Sequence, residues 1–89
     1  MIYFLTDICT ILKPMPQENG EIAFEDFGDY FCKIEKKKAE RYSSKYITHK
    51  AKMETDGAEP GYRLITSQHN YIVVSVDNKN RILGLVIQK

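Results

Sequence analysis

No apolar run in this 89-residue chain approaches the roughly 18 residues needed to cross a bilayer as a helix. The longest runs, Met1 to Leu5 and Ile82 to Ile87, are strand-sized. The first has no basic segment before it and no small-residue cleavage site after it, so neither a secretory signal nor a membrane partner is expected. Cysteine is scarce too. Cys9 and Cys32 are too few for a disulfide-built secreted domain and favour a reducing, cytoplasmic compartment with free thiols; a single Cys9–Cys32 bridge is the alternative. His49 and His69 stand 20 positions apart with no CxxC or HxxxH spacing nearby, which leaves no zinc pattern. The chain also lacks a glycine-rich phosphate loop, a GxSxG elbow, an HExxH sequence and internal repeats. No metal, cofactor or catalytic residue is therefore expected.

What remains is an ordinary globular composition, 43 % hydrophobic and 28 % charged, at a length that suits one domain over residues 1–89. A chain this short buries only about 60–70 % of the surface its unfolded form exposes, so its stability should be modest.

The expected fold is α+β. Met1 to Leu12 is rich in Ile, Tyr, Phe, Thr and Cys and reads as a strand, although Leu5, Ile8, Ile11 and Leu12 also fit one helical face, so 7–13 stay open between the two. Pro14 and Pro16 should end that element, and Asn19-Gly20 marks a turn inside a loop from Lys13 to Glu21. Phe24, Phe27, Phe31 and Ile34 recur at spacings of three and four, which predicts one long amphipathic helix from Phe24 to about Tyr42. Acids at its start and bases at its end would complement the helix dipole, with Gly28 as its weak point. Ile47, His49, Ala51 and Met53 then alternate with polar residues, predicting a strand; Tyr62 to Ser67, Tyr71 to Val76 and Arg81 to Gln88 should follow. These would form an antiparallel meander of three to four strands with the helix packed on one face.

The net charge of +1 is a cancellation. Residues 1–30 carry −5, residues 31–52 carry +6 and the remainder is neutral. The basic group is Lys33, Lys36, Lys37, Arg41, Lys45, Lys50 and Lys52. Lys33, Lys37 and Arg41 would form one helical stripe, and Tyr42 and Tyr46 lie among the bases as stacking rings would in a nucleic-acid site. The acidic group is Glu18, Glu21, Glu25, Asp26 and Asp29, a second surface that could meet a basic partner. Solvated faces are the competing reading of both groups. A histidine facing the core from Ile47–Met53 and another in a turn point to packing and solvation rather than catalysis.

Gly61-Tyr62-Arg63-Leu64, Tyr71-Ile72-Val73-Val74 and Val76 to Leu83 resemble the terminal strands of RelE/ParE-type toxins. That resemblance implies basic and His or Tyr residues acting on ribosome-bound mRNA, with Arg63 and Arg81 as the matching positions, although no basic tail follows. The same segment is similar to the last hairpin of roadblock-type dynein-associated domains, which are adaptors. Two unrelated families over less than a third of the chain imply a β-hairpin and no membership.

The expected function is that of a small non-enzymatic interaction protein, an inhibitory or accessory factor of the phage or mobile-element type, binding a protein partner through charged surfaces. RNA or DNA binding through the basic group, with a RelE-like mRNA interferase as its catalytic form, is the alternative. The oligomeric state stays open, with pairing through a sheet edge as the route to a dimer.

Overall fold

The computed structural model describes residues 5–42 and 45–88, with side chains for 5–36 and 47–88. Met1 to Phe4, the start of the expected first strand, lie outside the described residues. Those described form six strands and no helix: β1 (Asp7–Pro16), β2 (Ile22–Tyr42), β3 (Lys45–Met53), β4 (Arg63–Ile65), β5 (Asn70–Asp77) and β6 (Ile82–Gln88). They close into an antiparallel barrel in the order β1-β2-β3-β6-β5-β4. Two three-stranded meanders, β1-β2-β3 and β4-β5-β6, are joined first strand to first and last to last. No helix among the described residues is long and apolar enough to cross a membrane.

The α+β expectation is thus overturned at one element. Residues 24–42 are not a helix but most of β2, which pairs with β1 from Ile22 to Cys32 and with β3 from Cys32 to Tyr42. The misleading spacing has a local cause. Ile11 pairs with Gly28 while Leu12 pairs with Asp26, so Phe27 is an extra residue in a β-bulge. On a plain strand Phe27 and Ile34, seven positions apart, would face opposite sides. The bulge shifts the alternation by one, so that both pack against the core, whereas Phe24 and Phe31 are 41 % and 51 % exposed on the outside. Gly28 has φ of +134°, a conformation that suits glycine and not a helix, and its N–H is held by Asp26 Oδ1 at 2.8 Å. The Tyr30 hydroxyl donates to the Phe27 carbonyl at 2.9 Å, which satisfies the other backbone group the bulge frees.

At about 3.3 Å per residue, the 21 residues of β2 would span roughly 70 Å if straight, yet the longest dimension of the molecule is 46 Å. The strand must therefore curl, and the bulge supplies a bend. Pro16 ends β1 as expected, but Pro14 lies within the strand, and the two stand opposite Ile22 and Phe24. They are tolerated because β4 reaches only Thr10 to Leu12, so this part of β1 has a neighbour on one side only and needs no N–H on the other. Residues 13–26 thus form a two-stranded arm closed by the turn at Asn19-Gly20, where Gly20 has φ of +87°. A dimer through a sheet edge was one route left open; closure of the barrel leaves no full-length edge strand among the described residues, and on the arm's β1 side the two prolines blunt what is left.

The core is the barrel interior. Cys9 and Ile11 of β1, Cys32 of β2, Ala51 and Met53 of β3, Leu64 of β4, Tyr71 and Val73 of β5, and Leu83 and Leu85 of β6 point into it. Both cysteines are free and buried. The hydrogen bond to Cys32, followed by burial, pushes the Cys9 thiol well above its ordinary pKa, so Cys9 stays a protonated, packed thiol. One end of the barrel is plugged: the segment between β3 and β4 brings Ala58 and Tyr62 into the core, where the Phe27 ring meets Tyr62 edge-on at 5.4 Å. The void left there is about 10 Å³. The other end is open among the described residues.

Candidate functional site

In a barrel, inward and outward side chains alternate along every strand, so each strand brings its next inward position to the barrel mouth. At the open end, three of these positions change character. Asp7 extends the inward row of Cys9 and Ile11, Lys36 that of Cys32 and Ile34, and His49 that of Ala51 and Met53. Tyr71 completes the floor, and the turn Thr66 to His69 forms the far wall. Together they line a cleft of about 720 Å³, the larger opening of the barrel.

The rings in the cleft are ordered. His49 meets Tyr71 edge-on with centroids 5.0 Å apart, and His69 meets the same ring at 6.1 Å. The Thr48 hydroxyl oxygen accepts the Ile87 N–H at 3.0 Å and lies 2.9 Å from His49 Nδ1 and 3.3 Å from the Leu85 carbonyl oxygen, so it ties the imidazole to the β3–β6 wall. Burial, the Lys36 ammonium and His69 all hold the His49 pKa below its ordinary value. Burial, with Asp7 and Cys32, pushes the Tyr71 phenol above its own. Asp7 Oδ2 accepts the Ile34 N–H at 3.4 Å, which ties its carboxylate to the β2 wall.

Two consequences are testable. Lys36→Met removes a neighbouring cation and should raise the His49 pKa, read from the pH titration of its imidazole protons by NMR. Because the folded state disfavours the imidazolium, the unfolded chain takes up this proton first as pH falls. The His49 contribution to stability is therefore intact above its unfolded pKa near 6.5 and is lost as pH drops toward the folded value.

The sequence-derived groups are placed differently from this cleft. Lys33, Lys36, Lys37 and Arg41 lie on β2, and Lys45, Lys50 and Lys52 on β3. They share one hairpin ladder: Lys33 opposes Lys52, Glu35 opposes Lys50, and Lys36 opposes His49. There is no helical stripe. Lys33, Lys50 and Lys52 belong to the outer wall, and Lys52 donates to the Asn80 carbonyl; Lys36 alone of the described basic side chains turns to the cleft. The side chains of Lys37, Arg41, Lys45, Tyr42 and Tyr46 lie outside those described.

The acidic group sits at the other end of β2, on and beside the arm. Glu18 and Glu21 flank its turn and Glu25 opposes Lys13. Two of the five have internal tasks: Asp26 caps the bulge, and Asp29 accepts from the Thr10 hydroxyl at 2.6 Å. His49 and His69, read from sequence as packed and solvated, are brought to one ring; a polar residue breaking an inward-facing apolar row was the available signal at His49.

No protein-family model, curated protein or solved structure matches the chain. Among the described residues no group of three or more His, Cys, Asp or Glu side chains could hold a metal ion.

Proposed function

We propose that this is a small non-enzymatic interaction protein of a reducing compartment, whose β1–β2 arm docks on a basic surface of a protein partner. One observation carries the reading: one face of the arm exposes Ile22 (61 % exposed) and Phe24 together, with Met15 exposed on the other face and the carboxylates of Glu18, Glu21 and Glu25 along the same hairpin. Large apolar side chains exposed together within a charged border mark interaction surfaces, and the carboxylates would steer a basic partner onto them. An inhibitory or accessory factor that covers such a surface fits this arm. Phe24 is already half-engaged, with the Arg63 guanidinium 5.1 Å from its ring centre, so Ile22 is the free anchor of that face.

The second reading is nucleic-acid binding by the β2–β3 hairpin. It is favoured by one observation, the placing of Lys33 directly opposite Lys52 on the outer wall, which gathers positive charge where an anionic backbone could run.

Quantitative affinity capture from the native host separates the two. Ile22→Ala/Phe24→Ala should release the captured protein, with affinity lower by about 2 kcal/mol or more, roughly thirtyfold. Lys33→Ala/Lys50→Ala/Lys52→Ala should leave that protein bound. Capture that disappears on nuclease treatment and in the lysine variant, while surviving the arm variant, would replace the first reading with the second.

A further inference from the structure

We infer that the arm binds by strand addition: its free β2 edge takes up an extended segment of the partner in which apolar residues alternate with lysine or arginine. Strand addition rests on the docking-arm reading and specifies how that arm binds and what it binds.

The hydrogen bonding of the hairpin shows which edge is free. At the arm's turn the Gln17 N–H donates to the Glu21 carbonyl at 2.8 Å, so Gln17 and Glu21 form a hydrogen-bonded pair. From the Pro16–Ile22 pair to the Leu12–Asp26 pair the register runs without a shift, and bonded and non-bonded pairs alternate along an antiparallel ladder. Ala23 and Glu25 therefore turn their backbone groups to β1, while Ile22, Phe24 and Asp26 turn theirs away from it. The same alternation points the nitrogens of Pro14 and Pro16 at the opposite edge, where a proline has no N–H to offer. The arm thus has one blocked edge and one working edge. Among the described residues no strand occupies the working edge, because β3 joins β2 only from Cys32 onward, and every residue from Ile22 to Asp26 is exposed. Such an edge takes a further strand, with main-chain bonds giving affinity and alternate side chains giving specificity.

The side chains select the occupant. A strand added antiparallel sets alternate residues beside Ile22 and Phe24 on one face and beside Ala23 and Glu25 on the other, with Glu21 at the turn end. Apolar residues match the first row and bases the second. A second copy of the arm does not fit. Residues 13–26 carry four acids against the single base Lys13, so two arms laid edge to edge repel. The carboxylates that keep the arm from its own kind favour a basic segment.

The test is an NMR titration of the whole chain with a capped octapeptide of alternating valine and lysine. It should produce saturable shifts at the amides of Ile22, Phe24 and Asp26. In the antiparallel pairing the valines exchange the main-chain bonds with this edge. The same peptide N-methylated at every valine should therefore bind about tenfold more weakly or worse, while N-methylation at every lysine, which faces the far edge, should leave binding within about twofold. A valine–glutamate octapeptide should also lose about tenfold or more. Ile22→Pro removes an edge N–H without taking a bond from the β1–β2 ladder, and it should weaken the peptide about tenfold more than Ile22→Ala does. No saturable shift at about 5 mM peptide, a concentration that would reveal even a millimolar site, would overturn the proposal. So would the valine-methylated or the glutamate peptide binding as tightly as the parent. The docking-arm reading survives any of these results as long as Ile22→Ala/Phe24→Ala releases the protein captured from the host, so the two fail separately.

Discussion

Gly28→Ala is expected to destabilise the protein by about 2–4 kcal/mol, a fall in Tm of roughly 10–30 °C for a chain of this length. Two costs add. At φ of +134° an L residue is strained whatever its size, and a Cβ built there would lie 2.7 Å from the Tyr30 hydroxyl oxygen and 2.9 Å from the ring carbon that bears it. Tyr30 cannot swing away freely, because its ring packs on the core and its hydroxyl serves the Phe27 carbonyl. Displacing it would open the bulge that turns Phe27 inward. The experiment has unusual leverage because the helix reading predicts the opposite sign: alanine in place of glycine inside a helix stabilises by about 1 kcal/mol. Thermal or urea unfolding of the single variant decides between them, and a variant as stable as the parent or more so would remove the bulge from the fold.

Leu85→Ala should cost about 2–5 kcal/mol, toward the upper end. Leu85 is 0 % exposed and points into the barrel from β6, between His49 of β3 and Val73 of β5. Its strand is held by ladders on both sides, so the backbone cannot move in to fill the space left behind, and a rigid cavity is the costly kind. Total stabilities of small domains are only about 5–15 kcal/mol, so this variant should lie near the edge of folding, with its urea midpoint sharply lowered. Ile8→Ala is the control. Ile8 is exposed on the outer wall, and its truncation should change stability by no more than about 0.5 kcal/mol. Equal losses at the two positions would mean that the interior of the barrel has been assigned wrongly.

The parts of the fold legible in the sequence are those governed by neighbours along the chain. The alternation from Ile47 to Met53, with Ala51 and Met53 inward and Lys50 and Lys52 outward, follows from the two-residue repeat of a strand. The turns at Asn19-Gly20 and at Asp77 to Asn80 follow from local chemistry, the latter sealed by Asp77 oxygens accepting from the Asn80 N–H and side-chain amide. β2 was illegible for an equally physical reason. One extra residue at Phe27 converts a period of two into spacings of three and four, and a reader of side-chain pattern sees a helix. The β-forming composition of Ile22, Phe24, Tyr30, Phe31 and Ile34 was the counter-evidence. The acid-to-base order along the same segment fits a helix dipole as well as it fits what the strand does with it, which is to carry the two charges toward different hairpins.

Of the binding surfaces, the segregation of −5 and +6 between adjacent segments was determined by the sequence alone, and so was the scarcity of cysteine that leaves two thiols free in the core. Only the tertiary structure decided that the charges sit at opposite ends of one bent strand, that the acidic end carries exposed apolar anchors, and that Lys36 parts company with the other lysines. It alone assembled the mouth, where Asp7, Lys36, His49, His69 and Tyr71 come from four strands and a turn. No spacing along the chain encodes that meeting, because it depends on barrel closure: only when β1 pairs with β4 and β3 with β6 do the separate inward rows end at one rim.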